Sequence, residues 1–174
     1  MKKIVIVMAL ILLTTACQNK EQQMPQYQPK SSGLIQAESN IGRLKEAVKA
    51  DPKNVRAWIE LGNVMMDASR FAEAIEAYQK ALYLDPKNVD VRVDMGTCYK
   101  NIGKPDMAVK EYRQALEIDP NHLNGHRNLA IVLAFNLNDN KQAAAEFEKY
   151  LVLAPNAPDA AAIKQEVQRL KALK

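Results

Sequence analysis

The sequence predicts an all-α stack of helix pairs, an α-solenoid, and three observations predict it. The first is a fixed period. Gly62 returns 34 positions later as Gly96, Ala74 as Ala108, Tyr78 as Tyr112, Ala81 as Ala115 and Pro86 as Pro120. The second is the spacing within a unit. Trp58, Leu61 and Met65 fall at i, i+3 and i+7, and Ala74, Tyr78 and Ala81 at i, i+4 and i+7, both stripes of helical period. The third is composition. Only 6 Gly and 3 Phe among 174 residues, with Ala, Leu, Lys, Glu and Gln abundant, argue against a β-rich fold. A helix pair cannot bury its apolar face alone, so repeats of this length stack on one another.

Residues 34–54 read as a lone second helix, half a repeat. Asp51-Pro52-Lys53-Asn54 anticipates Asp85-Pro86-Lys87-Asn88, Ala47 anticipates Ala81, and Ile41, Leu44 and Val48 form the apolar stripe. This helix is expected to cover the open flank of the first full unit, as a terminal cap must. Residues 55–88, 89–122 and 123–157 are the three full units. Gly62, Gly96 and Ala130 put the smallest residues mid-helix, where Gly costs about 1 kcal/mol relative to Ala. That cost is tolerable where two helices approach closely. Pro86 and Pro120 end the second helices, because proline cannot continue them. Asn54 and Asn88 stand as N-caps of the helices that follow. After Leu129 the period slips by one, giving Ala143, Phe147 and Pro155, so Phe135–Lys141 holds a one-residue insertion in a turn. Residues 158–174 form a last helix opened by Pro158 and Asp159. Ala160, Ile163, Val167 and Leu170 line its inner face, with Lys164, Gln165, Gln168 and Arg169 outside.

Ahead of the repeats, Lys2 and Lys3 precede ten apolar residues, Ile4 to Leu13, and then small residues run into Cys17. This is a targeting segment, residues 1–16, too short to stay as a helix across a bilayer of ~30 Å. Removing it leaves 22 basic residues against 20 acidic ones, a net +2 spread over both signs, which does not fit a nucleic-acid partner. Gln18–Gly33 is polar, aperiodic and contains proline, so residues 17–33 read as a flexible tether reaching roughly 20–25 Å.

Two resemblances follow from these residues. Trp58-x2-Leu61-Gly62, Met65, Ala74, Tyr78, Ala81 and Pro86 are similar to the tetratricopeptide repeat (TPR) pattern. Met95-Gly96, Tyr99, Ala108, Tyr112, Ala115 and Pro120 repeat it, with Arg92 departing at the aromatic slot. In the third copy His126, Ala130 and Tyr150 depart. The resemblance implies a right-handed superhelical stack of antiparallel helix pairs, in a family that mostly binds proteins. Thr14-Thr15-Ala16-Cys17 resembles the lipobox of bacterial lipoproteins, with Leu13 one place early. It implies cleavage before a lipidated Cys17; the plain alternative is a secreted protein cut near Ala16. Gln18 rather than Asp after Cys17 resembles the outer-membrane sorting signal of enterobacterial-type lipoproteins.

No catalytic constellation and no cofactor site emerges, so an enzyme is not expected. His122 and His126 share the i, i+4 spacing of zinc-binding pairs, but His122 falls in a turn, His126 takes the Trp58 slot, and no third ligand is near. Cys98, beside Met95 and Tyr99, reads as a small buried apolar residue. The site is expected in the concave groove that the first helices of a TPR stack line. Its residues would be Arg56, Glu60, Asn63 and Asp67, then Asp90, Asp94, Thr97 and Asn101, then Asn124, Asn128, Ile131 and Phe135, with Arg127 at the edge. The Lys/Asn clamp that chaperone-binding TPRs use on a partner's C-terminal carboxylate is matched here only by Asn63, and Asp94 opposes it. The resulting expectation is a lipid-anchored scaffold whose groove binds a peptide or helix of an envelope partner. It would serve assembly or localisation of an envelope complex, as pilus-secretin pilotins or outer-membrane assembly lipoproteins do. The alternative is a regulator or recruiter of a periplasmic enzyme such as a cell-wall hydrolase.

Overall fold

The computed structural model describes residues 31–173, and the targeting segment, Cys17 and the tether through Lys30 lie outside the described residues. Within them the chain is a run of eight α-helices: α1 (Ser31–Ala50), α2 (Val55–Asp67), α3 (Phe71–Leu84), α4 (Val89–Asn101), α5 (Pro105–Ile118), α6 (Leu123–Phe135), α7 (Asn140–Leu153) and α8 (Ala160–Ala172). Each helix packs on the next, and the first helices α4 and α6 also touch. This is the all-α stack that the period predicts. No described helix is long and apolar enough to cross a membrane.

The local chemistry repeats with the period. Asn54, Asn88 and His122 cap α2, α4 and α6: each side chain accepts from the backbone N–H three residues on, at 3.0, 3.1 and 3.0 Å. At the paired-helix turns, Ser69, Gly103 and Asn138 take the left-handed conformation, at φ 60, 73 and 56°. The turn after α6 holds one residue more than those after α2 and α4, as the slip in period requires. Ser69 occupies a conformation that costs an L side chain free energy and Gly very little. Ser69→Gly is therefore expected to raise stability by about 0.5–1 kcal/mol, read from the midpoint of a denaturant melt.

The core is one apolar cluster along the stack. Ala74, Tyr78, Ala81, Ala108, Tyr112, Ala115 and Ala143 are 0 % exposed, and Phe147 sits buried at the same slot as the two tyrosines. Small and large residues alternate because Gly62 and Gly96 face the Tyr78 and Tyr112 rings directly. Cys98 is fully buried, and burial followed by the Asp94 charge pushes its thiol up to about 12. A thiol so placed stays protonated and inert at neutral pH.

The structure corrects two expectations. First, α1 starts at Ser31, three residues before Leu34, because lengthening a formed helix is far easier than nucleating one. Second, Pro158 lies in the turn ahead of α8, which starts only at Ala160. The Asp159 carboxylate is taken by Tyr150 Oη and Arg127 Nε, both at 2.7 Å, instead of capping the helix. Trp58 keeps its place in the apolar stripe, partly buried against the core, with Ala57 buried beside it. The slot it occupies shows a recurring contact. Trp58 Nε1 donates to the Pro52 carbonyl at 3.0 Å, Arg92 Nη2 to Pro86 at 3.1 Å and His126 Nε2 to Pro120 at 2.9 Å. Arg92 departs from the aromatic residue type, yet three unlike side chains satisfy one recurring acceptor.

Candidate functional site

The expected groove face is that of α2, α4 and α6, the first helix of each unit. Its floor is tied to the second helices. Tyr78 Oη donates to Asn63 Oδ1 at 2.8 Å, and Tyr112 Oη lies 3.1 Å from Thr97 Oγ1. In the third unit both partners change together: Ile131 is half-buried against the core and Phe147 has no hydroxyl to satisfy. A buried phenol needs a partner, a phenyl ring does not, and the groove residue follows that rule. Asn128 Nδ2 reaches Thr97 Oγ1 at 3.4 Å and Asn101 Nδ2 donates to the Thr97 carbonyl at 2.9 Å, so Thr97 is the hub of the middle of the face.

Charge is uneven along the groove. At the α2 end, Arg56 Nε pairs with Glu60 Oε1 at 2.8 Å, an exposed i,i+4 pair that neutralises both. Next to them Asp67, Asp90 and Asp94 converge. Desolvation raises the Asp94 carboxyl to about 6, the charges of Asp90 and then Asp67 add to it, and His122 opposes. His122 Nε2 lies 2.9 Å from Asp90 Oδ1 while its Nδ1 caps α6. The far end is apolar: Phe135, the last residue of α6, is 59 % exposed.

The folded-state pKa of Asp94 lies above its ordinary 3.8, so the folded chain holds its proton more tightly. Stability therefore falls as pH rises from about 4 to 6, and the penalty is complete above that window. Asp94→Asn is expected to stabilise the fold by about 1 kcal/mol at pH 7, a value discounted for partial exposure, and by little at pH 4. Melting temperatures of both proteins at the two pH values decide it; equal gaps at both would remove Asp94 as the titrating group.

Of the expected site residues, Arg56, Asp67, Asp90, Asn101, Asn124 and Phe135 are exposed, and Glu60, Asn63, Asp94, Thr97, Asn128 and Ile131 are partly buried. Arg127 pairs with Asp159 at the start of α8. The two histidines do not converge on an ion. His126 Nδ1 lies 2.6 Å from Glu146 Oε2, and with His122 bound as above all four ring nitrogens face protein atoms. Among the described residues no cluster could hold a metal.

Solved structures with this architecture include MamA, which superposes with a TM-score of 0.72 at 22% identity, over 83% of this chain and 78% of that one. The Yersinia enterocolitica type III secretion chaperone SycD, in complex with a peptide of the translocator YopD, gives 0.63 at 16% identity, over 67% and 92%. The first TPR of Spaghetti (RPAP3), bound to the HSP90 peptide SRMEEVD, gives 0.64 at 21% identity, over 70% and 96%. Such identities speak for the fold alone. A curated relative, small glutamine-rich tetratricopeptide repeat-containing protein 2 of Mycosarcoma maydis, is 43% identical over 51 residues, 29% of this chain; the match spans 14% of that protein's length. The family model described as the cytochrome c-type biogenesis protein H TPR domain matches residues 40–161, most of the chain and every full repeat, and the chain belongs to that tetratricopeptide-repeat family.

Proposed function

We propose that this protein is an envelope-held scaffold whose groove binds a partner segment with Lys or Arg near one end and a bulky apolar residue near the other. One observation carries the reading: the partly buried Asp94 lies within reach of the charges of Asp67 and Asp90, while Phe135 at the end of α6 is exposed. A desolvated carboxylate crowded by two others is relieved by a cationic ligand, a pattern common at binding sites. The descriptions of SycD and RPAP3 as peptide complexes support a peptide or helix as ligand. An acidic C-terminal peptide such as SRMEEVD is disfavoured here, because Asp94 would repel it. Lipidated Cys17 would hold the scaffold at the outer membrane facing the periplasm, in assembly or localisation of an envelope complex or as recruiter of a cell-wall hydrolase. The family match favours a second reading, in which the partner belongs to cytochrome c-type biogenesis.

The test is recovery of partners from membranes, followed by binding kinetics at two salt concentrations. Asp90→Asn with Asp94→Asn is expected to slow association roughly tenfold at low salt and flatten its salt dependence. Phe135→Ala is expected to speed dissociation instead. Cys17→Ser should move the protein out of the membrane fraction, since acyl chains contribute ~0.8 kcal/mol per buried CH₂. Unchanged rates in both groove variants would take the groove out of the account, and a Cys17→Ser protein that stays on membranes after a salt wash would remove the lipid anchor.

A further inference from the structure

A slot recurs between the second helix of one unit and the helix pair of the next. Between α1 and α2–α3 it is an open cleft of about 250 Å³, and between α5 and α6–α7 one of about 410 Å³. Its two walls correspond residue by residue: Lys45 to Arg113, Val48 to Leu116, Leu61 to Leu129 and Met65 to Leu133. At the intermediate position the same place is filled from within. Tyr99, which corresponds to Met65 and Leu133, is 8% exposed there, and its hydroxyl accepts from Gln79 Nε2 at 3.3 Å. Gln79 in turn corresponds to Lys45 and Arg113. The outer slots thus lack the phenol that the middle one contains, and carry a cation where the middle one carries its amide donor.

We propose that the larger slot is a docking site for a tyrosine side chain presented by a partner protein. Leu116, Leu129 and Leu133 give the ring an apolar floor. Arg113 stands at the mouth, donating to the neutral Gln142 Oε1 at 2.7 Å, so its guanidinium can serve a phenol oxygen as Gln79 serves Tyr99. Glu117 and Glu146 also line the slot, and two carboxylates beside Arg113 disfavour an acidic tip. A leucine or methionine would cover the floor without reaching Arg113. Tyrosine combines the rigid apolar body and polar tip that such a place rewards. This site is separate from the groove and does not depend on what the groove binds.

The test is a methyl-resolved titration of the full chain with N-acetyltyrosinamide as probe and N-acetylleucinamide as control. Saturable shifts of the Leu116, Leu129 and Leu133 methyl signals are expected with the first, and binding at least about fivefold weaker with the second. Leu133→Tyr, which fills the slot as Tyr99 fills its own, should abolish probe binding with the helical signal retained. Arg113→Ala, at an exposed position, should weaken the tyrosine probe several-fold while leaving N-acetylphenylalaninamide unchanged. Absence of saturable shifts at these methyls would overturn the proposal, as would probe binding that ignores both substitutions. Shifts that follow protein concentration and vanish in Tyr83→Ser would also overturn it. They would assign the slot to a second copy, whose Tyr83 is 83% exposed.

Discussion

Tyr112→Ala is expected to destabilise the domain by about 3–5 kcal/mol, the range for truncating a fully buried aromatic side chain. Tyr112 is 0 % exposed and sits in the middle unit with neighbours on both sides, so the void cannot drain to the surface. Its hydroxyl is also engaged with Thr97 Oγ1 at 3.1 Å. Losing the ring therefore unties the groove floor as well as the core. Tyr112→Phe separates the two contributions. It keeps the ring and is expected to cost only about 1 kcal/mol, the net value of one hydrogen bond. Burial pushes the Tyr112 phenol up to about 12, so neither variant should differ from wild type in its pH dependence below pH 9. Denaturant melts at constant m-value decide the matter; a loss under about 1 kcal/mol for Tyr112→Ala would mean the ring is not held as described.

Gly96→Ala should destabilise by about 1–3 kcal/mol, although alanine is the better helix former by about 1 kcal/mol. The added Cβ would lie 2.6 Å from Tyr112 Cε1 and 2.9 Å from Cδ1. These are ring atoms of a fully buried side chain, not the free end of a flexible one, so the ring or the helix must shift. Gly42 supplies the control. Nothing lies within 4 Å of a Cβ added there, and Gly42→Ala should instead stabilise α1 by up to about 1 kcal/mol. Opposite signs for one chemical change would show that packing, not propensity, keeps Gly96. In a Tyr112→Leu background the penalty of Gly96→Ala should shrink, a coupling that a double-mutant cycle reads directly. Additive effects would mean the glycine and the ring do not meet.

The sequence by itself determined the repeat, and with it the fold. Period, apolar stripes and proline positions are local or nearest-neighbour signals, and in a solenoid nearly every contact is between neighbours. That is why Tyr78, Tyr112 and Phe147 could be placed in the core, and why Asn54 and Asn88 could be named as caps. Helical spacing likewise orders the expected groove residues Asn63, Asp67, Asp94 and Phe135 on the first helices. What spacing cannot supply is the partner a polar side chain chooses. Only the tertiary structure decided that Arg127 turns to Asp159, that Trp58, Arg92 and His126 serve one kind of proline carbonyl, and that Asp94 is desolvated among Asp67 and Asp90. Those outcomes depend on packed distances to a few tenths of an ångström, whether the partners are 32 residues apart, as Arg127 and Asp159 are, or 6, as Trp58 and Pro52 are. A hydrogen bond or a desolvated charge depends on such distances, whereas an apolar stripe tolerates their absence.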